Sequence, residues 1–162
     1  MDDNELSVEQ QGEIVDEFLD GLLDAFGLDG EVEVDRVDDD TVEIRVDGED
    51  LGLLIGPGGN TLTSLQELSK TVVQRHATGA HHGRIRVDVA GYRQRRREAL
   101  TGFAQQVADE VRETGTQKGL EPMGAADRKV VHDAVSEVEG VATISEGQEP
   151  RRRVVIVVDE GD

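Results

Sequence analysis

The sequence predicts an α+β protein of two modules: an α-β-β-α-α-β unit over residues 15–90, and a small mixed α/β unit over residues 91–158 that includes the long helix connecting the two. Three observations predict it. Apolar residues recur at three- and four-residue steps and then switch to strict alternation, the change of period that separates helix from strand. A Gly-Pro-Gly-Gly turn at residues 56–59 divides two further apolar helical stretches. Beyond residue 92 a long helical pattern returns, followed by a shorter helix and two β-branched runs.

Leu6, Ile14, Val15, Phe18, Leu19, Leu22, Leu23 and Phe26 stand between Asp and Glu, so one helix face is apolar, and Gly27 sits where that helix stops. Val32 and Val34 alternate with acids, as do Val42, Ile44 and Val46 after the turn-like run Asp38 to Asp40, which predicts a hairpin with one buried face. The short apolar segment Leu51 to Ile55 leads into the glycine turn, and Leu62, Leu65, Leu68, Val72 and Val73 mark the helix beyond it. Ile85, Val87 and Val89 alternate with Arg84, Arg86 and Asp88 as a third strand.

Ala99, Leu100, Phe103, Ala104, Val107, Ala108 and Val111 trace the long helix from about Tyr92 to Gly115. Val130, Val131, Ala134, Val135 and Val138 form another helix. Strands follow at Val141 to Ile144 and Val154 to Val158, with a Gly/Pro turn at Glu146 to Pro150. Residues 1–14 form an acidic N-terminal segment, and residues 1–10 and 159–162 are expected to fray.

The chain has 162 residues and a formal net charge of −19, but residues 1–50 carry 20 acidic and 2 basic side chains while residues 51–162 carry 16 and 15. Arg84 to Arg97 holds six arginines against Asp88 alone. A polyanion responds to the local field of a patch, so the acidic total does not exclude a nucleic-acid partner. With no cysteine, disulfide scaffolds, Cys-ligated zinc, iron–sulfur clusters and thiol chemistry are excluded. The first residues lack a basic start and an apolar core, and no apolar run spans a bilayer, which predicts a cytoplasmic chain without membrane insertion.

Ile55-Gly56-Pro57-Gly58-Gly59-Asn60-Thr61-Leu62 opens the motif I-G-x-x-G-x-x-L-x-x-L, completed at Leu65. Gly56 and Gly59 let backbone approach a ligand closely, Asn60 or Thr61 can cap the next helix, and the first N–H groups of that helix attract phosphate. Ile55, Leu62 and Leu65 are expected to edge an apolar groove for unstacked bases. A bare Gly-Pro-Gly-Gly is otherwise only a tight connection. No Gly-Lys-Ser/Thr follows, so the turn is not a P-loop. With the β-β-α before it and the α-β after it, the segment resembles a type II KH domain. Pro57 and Gly58 stand where that family often has a basic residue, leaving only backbone donors and the helix dipole for phosphate.

Arg128 and His132 lie four apart on the expected helix Ala126 to Glu137 and so share one face. A guanidinium fork and an imidazole on one turn make a compact phosphate-binding pair, although an i, i+4 pair is more often a solvated helix face. Arg151, Arg152 and Arg153 are expected to alternate across a strand, with Arg151 and Arg153 on one side, and the sheet register decides which lies beside His132. Arg93 and Arg97 share a face of the long helix as a candidate RNA-facing stripe. Together, Glu121-Pro122-Met123, Asp127 to His132 and Ser145 to Ile156 resemble the R-x-x-x-H (R-three-H) domain, a single-stranded nucleic-acid binder.

A KH domain followed by that module is similar to the bacterial Jag (KhpB, SpoIIIJ-associated) family over about residues 15–158. The resemblance implies a non-enzymatic RNA chaperone or post-transcriptional regulator linked to cell shape, elongation and division. Its implied ligand is single-stranded RNA, with single-stranded DNA as a second candidate. It also implies a small KhpA-type partner bound through the KH domain, or self-association. The extra N-terminal Jag domain of many members has no counterpart in residues 1–14. The competing reading is a protein–protein adaptor whose KH fold serves dimerisation, motivated by the acidic first third and the uncharged loop tip.

No cofactor or metal site is expected. His76, His81 and His82 lack an evident third and fourth ligand, and no pair of acids is set across a cleft for acid–base chemistry. Aromatic residues are too few for a sheet of stacking rings, so recognition is expected to rely on backbone clamping and arginine planes.

Overall fold

The computed structural model describes residues 5–77 and 83–161. His81 and His82 lie outside them, as do residues 1–4 of the expected frayed tail. The chain forms two compact units, residues 1–93 and 94–162.

In the first unit, helix α1 (Val8–Phe26) starts at Ser7, whose side chain accepts from the Gln10 N–H while the Gln10 side chain accepts from the Ser7 N–H. This reciprocal cap satisfies two N–H groups that a helix start otherwise leaves unpaired. It corrects the expectation of a frayed start: residues 8–10 are helical, with Gln11 and Gly12 buried, and the 14/15 boundary falls inside α1. Gly27, left-handed at φ 64°, closes the helix, and Leu28 N–H donates to Leu23 O at 2.9 Å.

Strands β1 (Glu31–Asp38), β2 (Thr41–Asp47) and β3 (Arg84–Val89) form one sheet in the order β1-β2-β3, with β2 antiparallel to β1 and parallel to β3. The parallel pairing of β2 and β3 requires a crossover, and helices α2 (Gly52–Ile55) and α3 (Asn60–His76) supply it. The apolar alternation does what its period requires: Val42, Ile44 and Val46 on β2 and Ile85, Val87 and Val89 on β3 are buried with Val15, Leu19, Leu23, Leu54, Leu62, Leu65 and Val73 of the helices. The expected hairpin is only half buried, because β1 is an edge strand with Val34 and Val37 exposed.

The other sheet edge is tied down by side chains. The Gln66 amide donates to Ile85 O at 2.5 Å and accepts from Val87 N–H at 2.7 Å, a bidentate bond from α3 to the free backbone of β3. These bonds occupy two backbone groups that an added strand would need, which blunts the edge.

Helix α4 (Tyr92–Thr114) carries the chain into the second unit. There β4 (Lys118–Gly119), β5 (Val141–Glu146) and β6 (Arg153–Val158) form an antiparallel sheet in the order β4-β6-β5, and α5 (Ala125–Ser136) packs on it. The core joins Leu100, Ala104, Val107, Ala108 and Val111 of α4 to Val131 and Val135 of α5 and Val154 and Ile156 of β6. The two-residue β4 pairs with Val155 and Ile156 and has no counterpart in the sequence reading. No helix of the described residues is long and apolar enough to cross a membrane.

Candidate nucleic-acid interface

In the first unit, α2 ends at Gly56, a single 3-10 turn covers Pro57–Gly59, and α3 begins at Asn60. A side chain at Gly56 would start 2.1 Å from Thr61 Oγ1, and one at Gly59 would start 2.6 Å from the Tyr92 ring. Both glycines are thus demanded by packing as well as by their positive φ of 72° and 78°. At Gly58 nothing lies within 4 Å, so Pro57 and Gly58 form an open tip.

Two expectations are corrected at this loop. Neither Asn60 nor Thr61 caps α3; the cap position is Gly59, in the left-handed region, with no side-chain bond. Leu62 and Leu65 are 2% and 4% exposed within the core, so they do not edge an open groove. Ile55 is half-buried and packed against that core, while Leu53 and Leu68 are the large apolar residues left exposed on α2 and α3. The loop tip carries no charged side chain, and its polar side chains, Asn60 and Thr61, are exposed.

Arg93 is committed elsewhere: its Nε and one terminal nitrogen both donate to Val87 O at 3.2 Å. Arg97, in the second unit, is exposed and forms no ion pair among the described residues. Both arginines are exposed, but the Arg93 guanidinium is held by backbone while that of Arg97 is not.

In the second unit, Arg128 is 8% exposed. It donates to Met123 O at 2.6 Å and to the Glu149 carboxylate at 2.5 Å. His132, one turn on, is held at both ring nitrogens, Nδ1 by Thr143 Oγ1 at 2.5 Å and Nε2 by Ser145 Oγ at 3.0 Å. Arg128 thus ties the segment before α5 to the turn before β6, and His132 ties α5 to β5. The expected pairing of the two on one helix face is present, but both side chains are engaged with the protein.

The arginine triplet departs from the expected alternation. Strand β6 begins only at Arg153; Arg151 and Arg152 precede it, with Arg151 N–H donating to Gln148 O at 2.8 Å and Arg152 O accepting from Met123 N–H at 3.2 Å. Arg153 faces Glu146 across the sheet and donates to it at 2.7 Å. Thr143 and Ser145 pair with Ile156 and Val154, so Arg153 lies on the sheet face opposite His132. Arg151 and Arg152 are exposed, and among the described residues neither forms an ion pair. Most other cations of the unit are neutralised: Arg96 by Asp127, Arg112 by Asp109, Lys118 by Glu110 and Lys129 by Asp133.

No group of three or more His, Cys, Asp or Glu side chains is arranged to hold a metal among the described residues. The Gln66 clamp on β3 is a positioning feature that sequence reading missed, since an isolated glutamine on a helix carries no motif.

Residues 13–89 match the family model of the KhpA/KhpB KH domain, and residues 98–157 match that of the R-three-H domain. The chain is 35% identical over 141 residues to RNA-binding protein KhpB of Clostridium symbiosum, covering 86% of this chain and 63% of that protein. It is 34% identical over 142 residues to RNA-binding protein KhpB of Lactiplantibacillus plantarum, covering 88% and 43%. The protein of the same name from Bacillus subtilis is 35% identical over 118 residues, covering 72% and 56%. The chain thus spans less than two thirds of the length of these curated relatives.

Proposed function

The chain belongs to the KhpB (Jag) family, with a KH domain and an R-three-H domain, and from that premise we infer that it binds single-stranded RNA through both units as a non-enzymatic RNA chaperone or post-transcriptional regulator. The observation that carries the reading is the unpaired charge of Arg151 and Arg152 in a chain of net charge −19. Acids neutralise most of the cations around them, yet these two adjacent guanidinium groups project from the turn that Arg128 anchors through Glu149. Two exposed, pre-positioned forks suit a phosphate backbone.

In this reading Arg151 and Arg152 take phosphates. Arg128 holds their turn in place, and His132 fixes the adjoining strand and offers its ring to the bound strand. Arg97, exposed and without an ion pair among the described residues, adds to the positive charge of the unit, whereas the charge of Arg153 is met by Glu146. In the KH unit, Ile55 to Thr61 clamps a short stretch of backbone at the open tip. With no charged side chain there, the tip contributes weakly, and tethering to the second unit raises its effective concentration. Single-stranded DNA presents the same phosphates, so discrimination rests on contacts to the ribose hydroxyl.

Exposed Leu53 and Leu68, at 60% and 53%, favour a second role for the KH unit as a docking face for a small KhpA-type partner or a second copy. The proposed setting is the cytoplasm, with a role in control of cell shape, elongation and division. The adaptor reading, in which that face is the whole function, separates cleanly from RNA binding. Equilibrium binding of a short single-stranded RNA to the intact chain and to Arg128→Ala/His132→Ala tests it. The RNA reading expects loss of affinity in the double variant, and the adaptor reading expects no binding by either.

A further inference from the structure

We propose that the groove beside Phe103 in the second unit seats one unstacked base of the bound strand, with the Phe103 ring as its stacking platform. The inference rests on the RNA-binding reading and adds to it a stacking site for a base.

Phe103 is the sole aromatic residue of residues 94–162, and it is 50% exposed. A small module with one ring ordinarily gains most by burying it. Here the ring stands on α4 over an apolar floor of Leu100, Val107, Leu120 and Met123, in a groove of about 650 Å³. That volume lies within the range of about 300–1,000 Å³ typical of small-molecule sites.

The charge in the groove selects the occupant. Its two cations are already held, Arg96 by Asp127 at 3.2 Å and Lys118 by Glu110 at 2.5 Å. Glu121 adds a negative charge to the lining. Phosphate is therefore disfavoured inside, whereas a flat neutral group gains both the floor and the ring face.

Met123 connects this groove to the phosphate-binding edge. Its side chain lines the groove, its carbonyl accepts from Arg128 at 2.6 Å, and its N–H donates to Arg152 O at 3.2 Å. A strand whose phosphates lie on Arg151 and Arg152 thus runs beside the groove mouth, so one base can turn inward onto Phe103 while the backbone stays on the rim.

The chain has no tryptophan, so Phe103→Trp places a single reporter in the groove. Titration with a single-stranded octaribonucleotide is expected to quench its emission with the same midpoint as direct binding. Phe103→Ala, matched to the unaltered chain by urea unfolding, is expected to bind the octamer about 5- to 150-fold more weakly, the range that base–aromatic stacking covers. Its salt dependence should stay unchanged, because no phosphate contact is removed. An abasic octamer should bind both forms alike.

Wild-type affinity in Phe103→Ala, with no quenching in Phe103→Trp, overturns the inference and leaves the RNA-binding reading standing. Concentration-dependent self-association abolished by Phe103→Ala at unchanged octamer affinity overturns it in favour of a contact between copies. Absence of octamer binding by the unaltered chain removes the RNA-binding reading and this inference with it.

Discussion

The Arg128 guanidinium donates to the Glu149 carboxylate at 2.5 Å and, with its other terminal nitrogen, to Met123 O at 2.6 Å. One buried side chain thus joins two segments more than twenty residues apart that flank the exposed Arg151 and Arg152. A hydrogen bond that involves a charged group contributes about 1.5–3 kcal/mol. The second unit of Arg128→Ala is therefore expected to lose about that much stability in urea unfolding. Glu149→Gln keeps the turn but weakens the ion pair, and because Glu149 is 58% exposed its cost is expected to be under about 1 kcal/mol.

At the KH-type loop, neighbouring positions are expected to separate binding from folding. Pro57→Asp/Gly58→Asp sets two negative charges on an open tip and is expected to weaken RNA binding with little change in melting temperature. Asp is among the residues that tolerate the φ of 60° at position 58. Gly59→Ala drives a methyl into the Tyr92 ring at a φ of 78° and is expected to destabilise by about 1–3 kcal/mol. Thermal melts beside binding isotherms check both, and a loop variant that binds normally removes the tip from the account.

The start of α1 depends on Ser7. Losing its bond to the Gln10 N–H is expected to cost Ser7→Ala about 1 kcal/mol by chemical denaturation. No change would mean that the first turn contributes nothing to the KH unit.

Burial, and then the neighbouring charge of Asp20, push the Asp16 carboxyl above its usual range. A carboxyl whose pKa is raised by folding makes its ionised form a cost to the folded state. That cost is present above the folded pKa and absent below the unfolded one. Asp16→Asn is therefore expected to raise the melting temperature near neutral pH, with the gain shrinking as pH falls through the carboxylate range. A gain that persists into acid would assign the effect to packing.

Much of the fold was legible because it is periodic. Val42, Ile44 and Val46, then Ile85, Val87 and Val89, announce buried strand faces by alternation, and all six are buried. The spacing of the glycine motif placed a turn between two helices, and Gly56 and Gly59 proved to be the positions where a side chain would collide. What escaped is non-local. The two-residue β4 has no period to read, and Gln66 bonds backbone 19 and 21 residues away. The burial of Arg128 depends on Glu149 and Met123, which no spacing rule ties to it. The arginine triplet looked like strand because β-branched residues follow it, but the turn into β6 extends through Arg152.

Capture of RNA phosphates by the exposed arginines of the second unit is the proposed basis of binding. It is tested most directly by measuring affinity for a short single-stranded RNA across a salt series, for the intact chain and for Arg151→Ala/Arg152→Ala. Each phosphate contact on a single strand contributes about 0.7 to the slope of log affinity against log salt. A steep fall with salt is expected for the intact chain, with a slope shallower by about 1 to 1.5 in the double variant. Equal slopes for the two proteins, or binding indifferent to salt, would contradict it.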